Sequence, residues 1–451
     1  MMTVPSKSVA ELTALEIREH LLSGQETVEE FTAKLGQFVD AADQSVHAFA
    51  HRDDRVVALQ ADHLQRERLA GHLPGPLYGI PVGVKDIIDT IDFPTEYGSS
   101  IHQGRYSVCD ATVVSRLRAA GAVIFGKTVT TEFATTQPGP TVNPHNPAHT
   151  PGGSSSGSAA AVAAGMVPVA LGTQTNGSVI RPASFCGVYG FKPSRGLLPR
   201  TGVLDQSPSL DEIGVFARNI EDIAKVTEIM SGDDGHDTAC ARQAPRRLFD
   251  VALSEPPLPP KFCFVKTPWW NEVEAEAQEA YEAFVDLMDG CVEYVELPEI
   301  VRKAAAWLAT VNEVELAFCL QKEWVNHRNQ LSQPLCERIE RGMNMSATDY
   351  LVAKDRMIHV MTAFDEFFAS YDGILCPAAL GAAPLGLAST GNPIMQTTWS
   401  FAGLPSLNLP LITLSNGLPL GVQSVGAYQN DARLLRSSRW LVSEFVQRTS
   451  A

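Results

Sequence analysis

The chain has 451 residues, of which 45% are hydrophobic and 19% are charged, and its formal net charge is −16. A long chain with few charges can bury a large core, because the surface-to-volume ratio falls with size. A nucleic-acid interface needs clustered Lys and Arg to neutralise phosphates, and the sequence contains no such run. The composition therefore argues against a nucleic-acid partner and favours an acidic, solvated surface.

Cysteine usage and the N-terminus indicate a cytoplasmic protein. The 8 cysteines are scattered singly and form no Cys-x-x-Cys pair, which argues against a zinc or redox motif. The segment from Met1 to Leu15 lacks the apolar stretch of a signal peptide. The longest apolar run, residues 159–171, contains Gly165 and Pro168 and is too short to span a bilayer. We expect a protein of the reducing cytoplasm with no membrane segment.

The first part of the chain predicts helices alternating with short buried strands. Apolar spacing predicts two helices within residues 8–36 and another over 54–70. The apolar run 78–85 ends on a lysine and is typical of a buried strand. A helix over 110–120 ends at Gly121, and a strand follows over 122–125. This strand–helix–strand order indicates a sheet covered by helices.

The remaining elements follow a Pro- and Gly-rich loop over 135–157. A helix of small residues over 158–164 and a strand near 167–171 come next. Residues 231–260 are polar and predict a surface excursion. The later predicted elements are a strand over 261–265, helices over 272–289 and 300–329, and apolar runs at 373–376, 404–411 and 420–425. With no repeat and no clean linker, we predict a single domain over residues 1–451, with 71–230 as the catalytic core and 231–350 as a candidate cap or insertion.

Two local motifs suggest other functions. Gly121 to Thr128 matches the phosphate-loop pattern GxxxxGK[ST], but a helix precedes the first glycine and the variable positions form an apolar strand. Gly153 to Gly157 matches the nucleophile elbow GxSxG, which would make Ser155 the nucleophile of an α/β-hydrolase esterase. That mechanism needs a late histidine, and the last histidine, His359, is followed by a long C-terminal segment. The elbow remains an alternative.

Metal chemistry has little support in the sequence. No HExxH or similar ligand spacing is present. His145 and His149 lie close together in a Pro-rich loop, where bracing of the loop is the favoured interpretation. We predict that the protein uses neither a metal nor another cofactor.

Three segments combine into one family resemblance. They are Gly79-Ile-Pro-Val-Gly-Val-Lys85-Asp86, Thr150-Pro-Gly-Gly-Ser154-Ser-Ser-Gly-Ser, and Leu171-Gly-Thr-Gln-Thr-Asn-Gly-Ser178-Val-Ile-Arg181-Pro. In this order they resemble the amidase signature family, and the Ser-Val-Ile-Arg-Pro spacing is similar to its malonamidase-like branch. The resemblance extends over about residues 8–445. It implies one large α/β domain with a mixed, twisted sheet covered by helices on both faces.

The resemblance implies a catalytic triad. Ser178 would attack the substrate carbonyl, Ser154 would carry the proton, and Lys85 would receive it, with the Gly153–Ser154 peptide in cis. A serine hydroxyl is a weak nucleophile until a base accepts its proton, and a lysine can do so only when neutral. Burial at the end of an apolar strand would favour the neutral amine. The opposing interpretation pairs Lys85 with Asp86 or Asp89.

Residues around the triad are candidates for binding the substrate. Thr175, Asn176, Gly177 and Ser178 would supply the oxyanion hole, in which family members usually have Gly where this chain has Asn176. The resemblance implies that Arg181 recognises a substrate carboxylate, which suits a planar guanidinium. A structural ion pair is an equally favoured role for Arg181. Further candidates for substrate contact are Gly153 and Thr128.

The predicted function is hydrolysis of a non-peptide C–N bond in a small amide, with a carbamate or urethane as the second substrate class. Tryptophans such as Trp269, Trp307 and Trp399 would line an aryl pocket or, more commonly, belong to the core. The alternative function is a glutaminase-type subunit of a transfer-RNA transamidation complex, which needs partner proteins. A non-catalytic homologue is disfavoured because Lys85 and both serines are present. We expect a monomer or homodimer.

Overall fold

A mixed β-sheet runs through residues 8–240 and 247–450, which are the residues described by the computed structural model. Its strands in the described part of the chain are β1 (Phe49–His51), β2 (Pro81–Lys85), β3 (Val123–Thr128), β4 (Val169–Gln174), β5 (Tyr189–Lys192), β6 (Glu212–Ala217), β7 (Phe262–Phe264), β8 (Val292–Tyr294), β9 (Gly373–Pro377), β10 (Ser406–Thr413) and β11 (Pro419–Val425). They lie in the order β1-β3-β2-β4-β6-β5-β10-β11-β9-β7-β8. β2 pairs in parallel with β3 and β4, whereas β4, β6, β5, β10, β11 and β9 pair antiparallel in succession.

Helices make up most of the remaining structure. Those described are α1 (Ala14–Leu22), α2 (Val28–Val46), α3 (Asp54–Leu69), α4 (Thr112–Ala119), α5 (Ser156–Ala163), α6 (Ile180–Cys186), α7 (Ile220–Met230), α8 (Leu248–Leu253), α9 (Ala275–Leu287), α10 (Ala304–Cys319), α11 (Gln321–His327), α12 (Gln333–Asn344), α13 (Ala347–Thr362), α14 (Asp365–Ser370), α15 (Ile394–Ala402) and α16 (Asp431–Ser450). Short 3₁₀ turns lie at Ser100–His102, Glu132–Ala134, Trp270–Glu272, Glu299–Lys303 and Arg328–Gln330.

Both faces of the central strands are buried under helices. Side chains alternate between the two faces of a strand, so Ile124 of β3 joins one apolar cluster whereas Phe125 joins another. The first cluster includes apolar residues of α4 and α7, and the second includes those of α1, α2 and α5. The predicted α/β class, with a mixed sheet covered on both faces, is confirmed.

The ends of the first helices are set by capping side chains. Thr13 and Thr27 precede α1 and α2, and each accepts a hydrogen bond from the backbone N–H of the glutamate three positions on. That glutamate returns a hydrogen bond to the cap, which satisfies two backbone donors at the helix start. Gly121 follows α4 with φ of 91°, as its predicted role as a helix stop requires.

Helix α5 packs against neighbouring backbone at a distance that only small residues allow. A Cβ at Gly157 would lie 2.2 Å from the carbonyl oxygen of Ala48 and 2.4 Å from the amide nitrogen of Val129. The helix is therefore held close to β3, and the loop before it, which contains Ser154, is held with it. The small-residue composition of this segment thus fixes the position of one candidate catalytic group.

The predicted cap or insertion, residues 231–350, contributes to the sheet as well as to the helices around it. β7 and β8 lie in this range and form one edge of the sheet, while α10 packs on α12, α13 and α15. Residues 241–246, part of the predicted surface excursion, lie outside the described residues, as do Met1–Lys7 of the N-terminal segment. None of the described helices combines the length and apolarity needed to cross a bilayer.

Candidate active site

The candidate site lies where β2 and β4 end. These strands are parallel, so their carboxyl ends meet at one edge of the sheet, where ligands bind in many α/β proteins. Lys85 is the last residue of β2 and is fully buried. Its Nζ lies 2.8 Å from Ser154 Oγ and 2.7 Å from Thr173 Oγ1 on β4. The amine is thus held by two hydroxyl groups, neither of which carries a formal charge.

The carboxylates adjacent to Lys85 in sequence have other cationic partners. Asp86 lies 3.2 Å from Lys127 Nζ, and Asp89 pairs with Arg105 at 2.7 Å. Within the described residues, Lys85 forms no ion pair. Burial lowers the pKa of Lys85 well below its ordinary value, and the negative charge of Asp211 opposes this shift without reversing it. The environment therefore favours the neutral form of the amine more than water does.

Ser154 is fixed by the loop that precedes α5. The Gly153–Ser154 peptide is cis, and the Ser154 side chain is buried. The Ser154 carbonyl oxygen accepts a hydrogen bond from the N–H of Thr131 at 3.2 Å. Ser155 hydrogen bonds with both backbone groups of Thr173, donating to its oxygen at 3.1 Å and accepting from its nitrogen at 3.2 Å. These contacts hold the Ser154 hydroxyl against Lys85.

The turn between β4 and α6 presents Ser178 and a set of free backbone donors. Ser178 is partly exposed, and its hydroxyl has no hydrogen-bond partner among residues 8–240 and 247–450. The Oε1 atom of Gln174 accepts the N–H groups of Val179 at 2.8 Å and Ile180 at 3.1 Å. In the same described residues, nothing accepts the N–H groups of residues 176–178. These donors are available to an oxyanion at the Ser178 side of the turn.

Asn176 is held by helix α15. Its side-chain Oδ1 accepts a hydrogen bond from Thr397 Oγ1 at 3.0 Å, and its carbonyl oxygen accepts one from the Ser400 hydroxyl. Ser400 also accepts a hydrogen bond from Gln174 Nε2 at 3.0 Å. The asparagine thus gives the turn an anchor on α15 that a glycine would lack.

Arg181 lies behind this turn with most of its donors unused. Its Nη2 donates to the Gly153 carbonyl oxygen at 2.6 Å and to Thr390 Oγ1 at 3.2 Å. Its Nε and Nη1 atoms are buried without a partner, and no described carboxylate pairs with the guanidinium. Burial lowers the pKa of Arg181 to about 10. The ion-pair role considered from the sequence is therefore not formed in the described part of the chain.

Comparison with known proteins identifies the family. The family model for Amidase matches residues 26–435. The chain belongs to the amidase family. This amidase is 32% identical to a glutamyl-tRNA(Gln) amidotransferase subunit of Synechococcus sp. (strain WH7803), over 93% of this chain and 94% of that one. It is 31% identical to AtzE, a 1-carboxybiuret hydrolase subunit of Pseudomonas sp. (strain ADP), over 97% and 99%.

Solved structures agree with the family assignment. One, described as "An unexpected vestigial protein complex reveals the evolutionary origins of an s-triazine catabolic enzyme", has a TM-score of 0.89 and 27% identity, over 96% of this chain and 98% of that chain. The predicted resemblance is confirmed, and the amidase is an enzyme of the class that hydrolyses amide C–N bonds. The elbow alternative is wrong, since the fold is that of the amidases and Ser155 is fully buried.

The remaining predicted contact residues lie near the site in different roles. Gly153 is adjacent to Ser154, and a Cβ there would lie 2.7 Å from Thr390. Thr128 is next to Lys85 in the β2–β3 pairing, but its side chain is fully buried and hydrogen bonds to Ser158 Oγ at 2.7 Å. The hydroxyl of Thr128 thus holds α5 on the sheet, and this residue is not part of the proposed substrate site.

Sequence reasoning missed Thr173, which contacts the amine of Lys85. The available signal was strand periodicity: residues 173 and 175 alternate with Gln174 and so lie on one face of β4. Gln174, which accepts two N–H groups of the Ser178 turn, was also missed. Its role depends on how the turn folds back over the strand, and spacing in the sequence does not show that.

One cluster has the ligand types of a metal site. Atoms of His51, Asp86 and Glu96 lie within 4.8 Å of one another. The ammonium group of Lys127 lies 3.2 Å from Asp86, however, and His51 Nε2 is 2.9 Å from Glu96. The lysine already supplies the positive charge that these carboxylates need.

Treatment of the amidase with EDTA should therefore leave its activity unchanged. Acyl transfer between hydroxyl groups and an amine base needs only the movement of protons. Turnover after prolonged incubation with EDTA and gel filtration, compared with a sample given buffer only, checks this expectation. Loss of activity that is restored by a divalent cation would contradict it.

A segment of the chain over residues 378–393, which we call the cover segment, lies against the site. Thr390 contacts Arg181, and Pro393 packs on Gly177. The segment is tied to the Pro-rich loop by His149, whose Nδ1 lies 2.6 Å from the Ala383 carbonyl oxygen. His145 Nε2 similarly contacts the carbonyl oxygen of Cys186 at 2.9 Å. Both histidines brace the loop, as the sequence suggested.

Proposed function

We propose that the chain hydrolyses a small amide through an acyl-enzyme on Ser178, with Ser154 as proton carrier and Lys85 as base. The observation that supports this most strongly is the buried amine of Lys85 at 2.8 Å from Ser154 Oγ, with no described carboxylate paired to it. An ionised lysine with no counter-ion would be costly at this depth. A neutral lysine at the end of a hydroxyl chain is a base.

The proposed reaction proceeds in two halves. Ser178 Oγ attacks the carbonyl carbon, its proton moves to Ser154, and the Ser154 proton moves to Lys85. The N–H groups of residues 176–178 stabilise the oxyanion that forms. The proton then returns through Ser154 to the leaving nitrogen as the C–N bond breaks. Water hydrolyses the acyl-Ser178 by the same proton path, which releases the acid.

The hydroxyl of Ser178 must turn toward Ser154 when substrate binds. Ser178 Oγ has no hydrogen-bond partner in the described residues, so no existing contact has to break. Catalytic hydrogen bonds are often long in the free enzyme and shorten in the substrate complex. The contact between the Ser178 and Ser154 hydroxyl groups is therefore part of the proposal.

Covalent labelling tests the nucleophile. A fluorophosphonate should react once per chain, and mass spectrometry of the digested protein should place the adduct on Ser178. A parallel panel of small amides, carbamates and esters should show turnover with amides, and less with bulky urethanes. An adduct on another serine, with Ser178 unmodified, would refute the assignment.

Arg181 supports a narrower substrate class, in which the acyl part carries an acidic group. Its Nε and Nη1 atoms are buried donors without partners, and such donors are costly unless a ligand satisfies them. The third nitrogen, Nη2, contacts the carbonyl oxygen of Gly153, the residue before Ser154, and the hydroxyl of Thr390. The relative AtzE is named as a subunit of 1-carboxybiuret hydrolase, and the substrate in that name bears a carboxyl group.

Replacement of Arg181 by Met should raise KM for a carboxylate-bearing amide by about 10–100-fold, because a charge-assisted hydrogen bond contributes about 1.5–3 kcal/mol. The neutral methyl-ester or amide analogue of that substrate should be affected much less. Steady-state kinetics on the two substrates, with R181K as the charge-conserving variant, measure the difference. An equal loss on both substrates would assign Arg181 to bracing the Ser178 turn.

The tryptophans favour a small substrate. Trp399 is 1% exposed and packs on Phe364 with ring centroids 5.1 Å apart, and Trp307 stacks with Phe401 at 6.2 Å. Trp399 therefore belongs to the core, and Trp307 is partly buried against it. An aryl pocket built from them is not supported, although carbamate turnover remains part of the substrate panel.

A second candidate is membership of a transamidation complex. Relatives named as glutamyl-tRNA(Gln) amidotransferase subunits are 29–32% identical to this chain over most of its length. We favour an independent hydrolase that acts as a monomer or homodimer. Gel filtration with an activity assay on each fraction separates the two. Activity of the purified chain alone supports the hydrolase, and activity that requires added partner proteins supports the complex.

A further inference from the structure

The turn over residues 175–178, which we call the oxyanion turn, is hydrogen bonded at its first residue to Asp211, a carboxylate that the proposed mechanism does not use. Thr173 and Thr175 lie on the same face at the end of β4, and Thr173 contacts Lys85. β6 runs antiparallel to β4, with Gln174 opposite Glu212. Asp211 therefore lies beside Thr175, and Thr175 Oγ1 donates to Asp211 Oδ1 at 2.5 Å.

The carboxylate of Asp211 is rigidly held. Its side chain is buried, and Oδ2 accepts the N–H groups of Gln206 at 2.8 Å and Ser207 at 2.7 Å. With Thr175, this gives the carboxylate three donors. A cavity of about 10 Å³ is lined by Asp211, Thr173 and Thr175, among others, which is room for about one water molecule. Asp211 and Thr173, whose hydroxyl contacts Lys85, thus both line this small space.

Several other charged groups lie near Asp211. Arg200 lies closest, with Nη1 at 3.2 Å from the Asp211 backbone oxygen, and its side chain forms a two-pronged ion pair with Asp237. Glu315 accepts hydrogen bonds from Ser207 and Ser209, whereas the Glu212 carboxylate has no hydrogen-bond partner among the described residues, and Glu212 lines the same cavity as Asp211. The other titratable groups around it are Asp205, which lines the same cavity, and Cys319 on α10.

We propose that Asp211 is a positioning residue for the hydrolase: it holds Thr175 at the start of the oxyanion turn and places a fixed negative charge behind the base Lys85. This inference rests on the proposed function. The carboxylate acts through Thr175 on the turn, by geometry, and through space on Lys85, by charge. The two effects are separable by experiment.

The negative charge of Asp211 affects catalysis through the protonation state of Lys85, which must be neutral to act as a base. A nearby anion favours the ammonium form, so Asp211 raises the pKa of Lys85, while burial lowers it. Burial also raises the pKa of Asp211 to about 6, so its charge is present at neutral pH. Removing that charge should lower the pKa of Lys85 further. The acid side of the activity profile would then move to lower pH.

The decisive variant is Asp211→Asn. Its kcat/KM profile should lose activity at a pH about 1 unit lower than the unmodified enzyme does, as expected for loss of one nearby opposite charge. Thr175→Val keeps the charge and removes the hydrogen bond, so kcat should fall by about 10-fold while the acid side of the profile stays in place. A purely structural role for Asp211 would leave the acid side of the Asp211→Asn profile in place.

Asp222→Asn is the matched control. Asp222 is also a buried carboxylate that accepts two backbone N–H groups, those of Ala14 and Leu15, but these lie at the start of α1. The control should lose thermal stability without moving the pH profile. If D211N leaves the profile in place while Ser178 is still labelled, the inference on Asp211 is wrong. If Ser178 is not labelled in the unmodified enzyme, the proposed function itself fails.

Discussion

Ser178→Ala should lower kcat/KM by at least about 10⁴-fold, the scale seen when a serine hydrolase loses its nucleophile. The Ser178 side chain is partly exposed and makes no hydrogen bond to the described residues, so its removal should leave the fold intact. The variant should also lose all labelling by a fluorophosphonate. Kinetics with the best amide of the panel and intact-protein mass spectrometry measure both effects.

Ser155→Ala is the matched control for this experiment. Ser155 lies beside Ser154, is fully buried and hydrogen bonds to the backbone of Thr173, so its loss should reduce stability and slow the labelling of Ser178 without abolishing it. Circular dichroism and thermal unfolding establish that both variants fold. Retained turnover by folded Ser178→Ala would remove this residue from the role of nucleophile.

Lys85→Met should lower kcat by roughly 10²–10⁴-fold, the range supplied by a positioned general base. In the unmodified enzyme, activity should fall on acidification, because the ammonium form cannot accept a proton from Ser154. Since burial holds the pKa of Lys85 well below its ordinary value, the fall should occur at a lower pH than free lysine would give. The residual activity of the variant should lack this dependence.

The lowered pKa of Lys85 also predicts how the stability of the fold depends on pH. The unfolded state binds a proton on Lys85 at pH values where the folded state does not, so folding is weakened as pH decreases below the unfolded pKa. The loss of folding free energy stops increasing once the pH is below the pKa of Lys85 in the folded state. Lys85→Met should therefore be at least as stable as the unmodified chain at neutral pH, with a smaller dependence of melting temperature on pH.

Lys127→Met provides the comparison. Lys127 is equally buried but pairs with Asp86, so its removal leaves an unpaired buried carboxylate and should destabilise the fold. If Lys127→Met changes the acid side of the activity profile and Lys85→Met retains it, the base has been assigned to the wrong lysine.

Much of the candidate site could be predicted because its groups lie in ordered sequence segments. Lys85 ends an apolar strand, and Ser154 and Ser178 belong to Gly- and Ser-rich turns, so residue type and order carried the resemblance. The strand at 81–85 and the small-residue helix, found at Ser156–Ala163, lie close to their predicted positions. The domain subdivision and the roles of the site residues remain predictions.

Long-range contacts set the limit of sequence reasoning. β6 went unpredicted, since Glu212–Ala217 begins with a charged residue and was not recognised as an apolar run. Its pairing with β4 is what brings Asp211 to Thr175. The cationic partners of Asp86 and Asp89 could not be predicted either. Lys127 lies on β3 and Arg105 on a loop, and both approach the two carboxylates only in the folded chain.

The close fit of α5 on the sheet has a consequence for changing what the enzyme accepts. Any side chain at Gly157 would meet backbone atoms of Ala48 and Val129, which have nowhere to retreat. Protein engineers therefore have little freedom at this position of α5. Ser389 and Asn392 of the cover segment are exposed, but each accepts a backbone N–H two residues further on, so substitutions there should keep a hydrogen-bond acceptor.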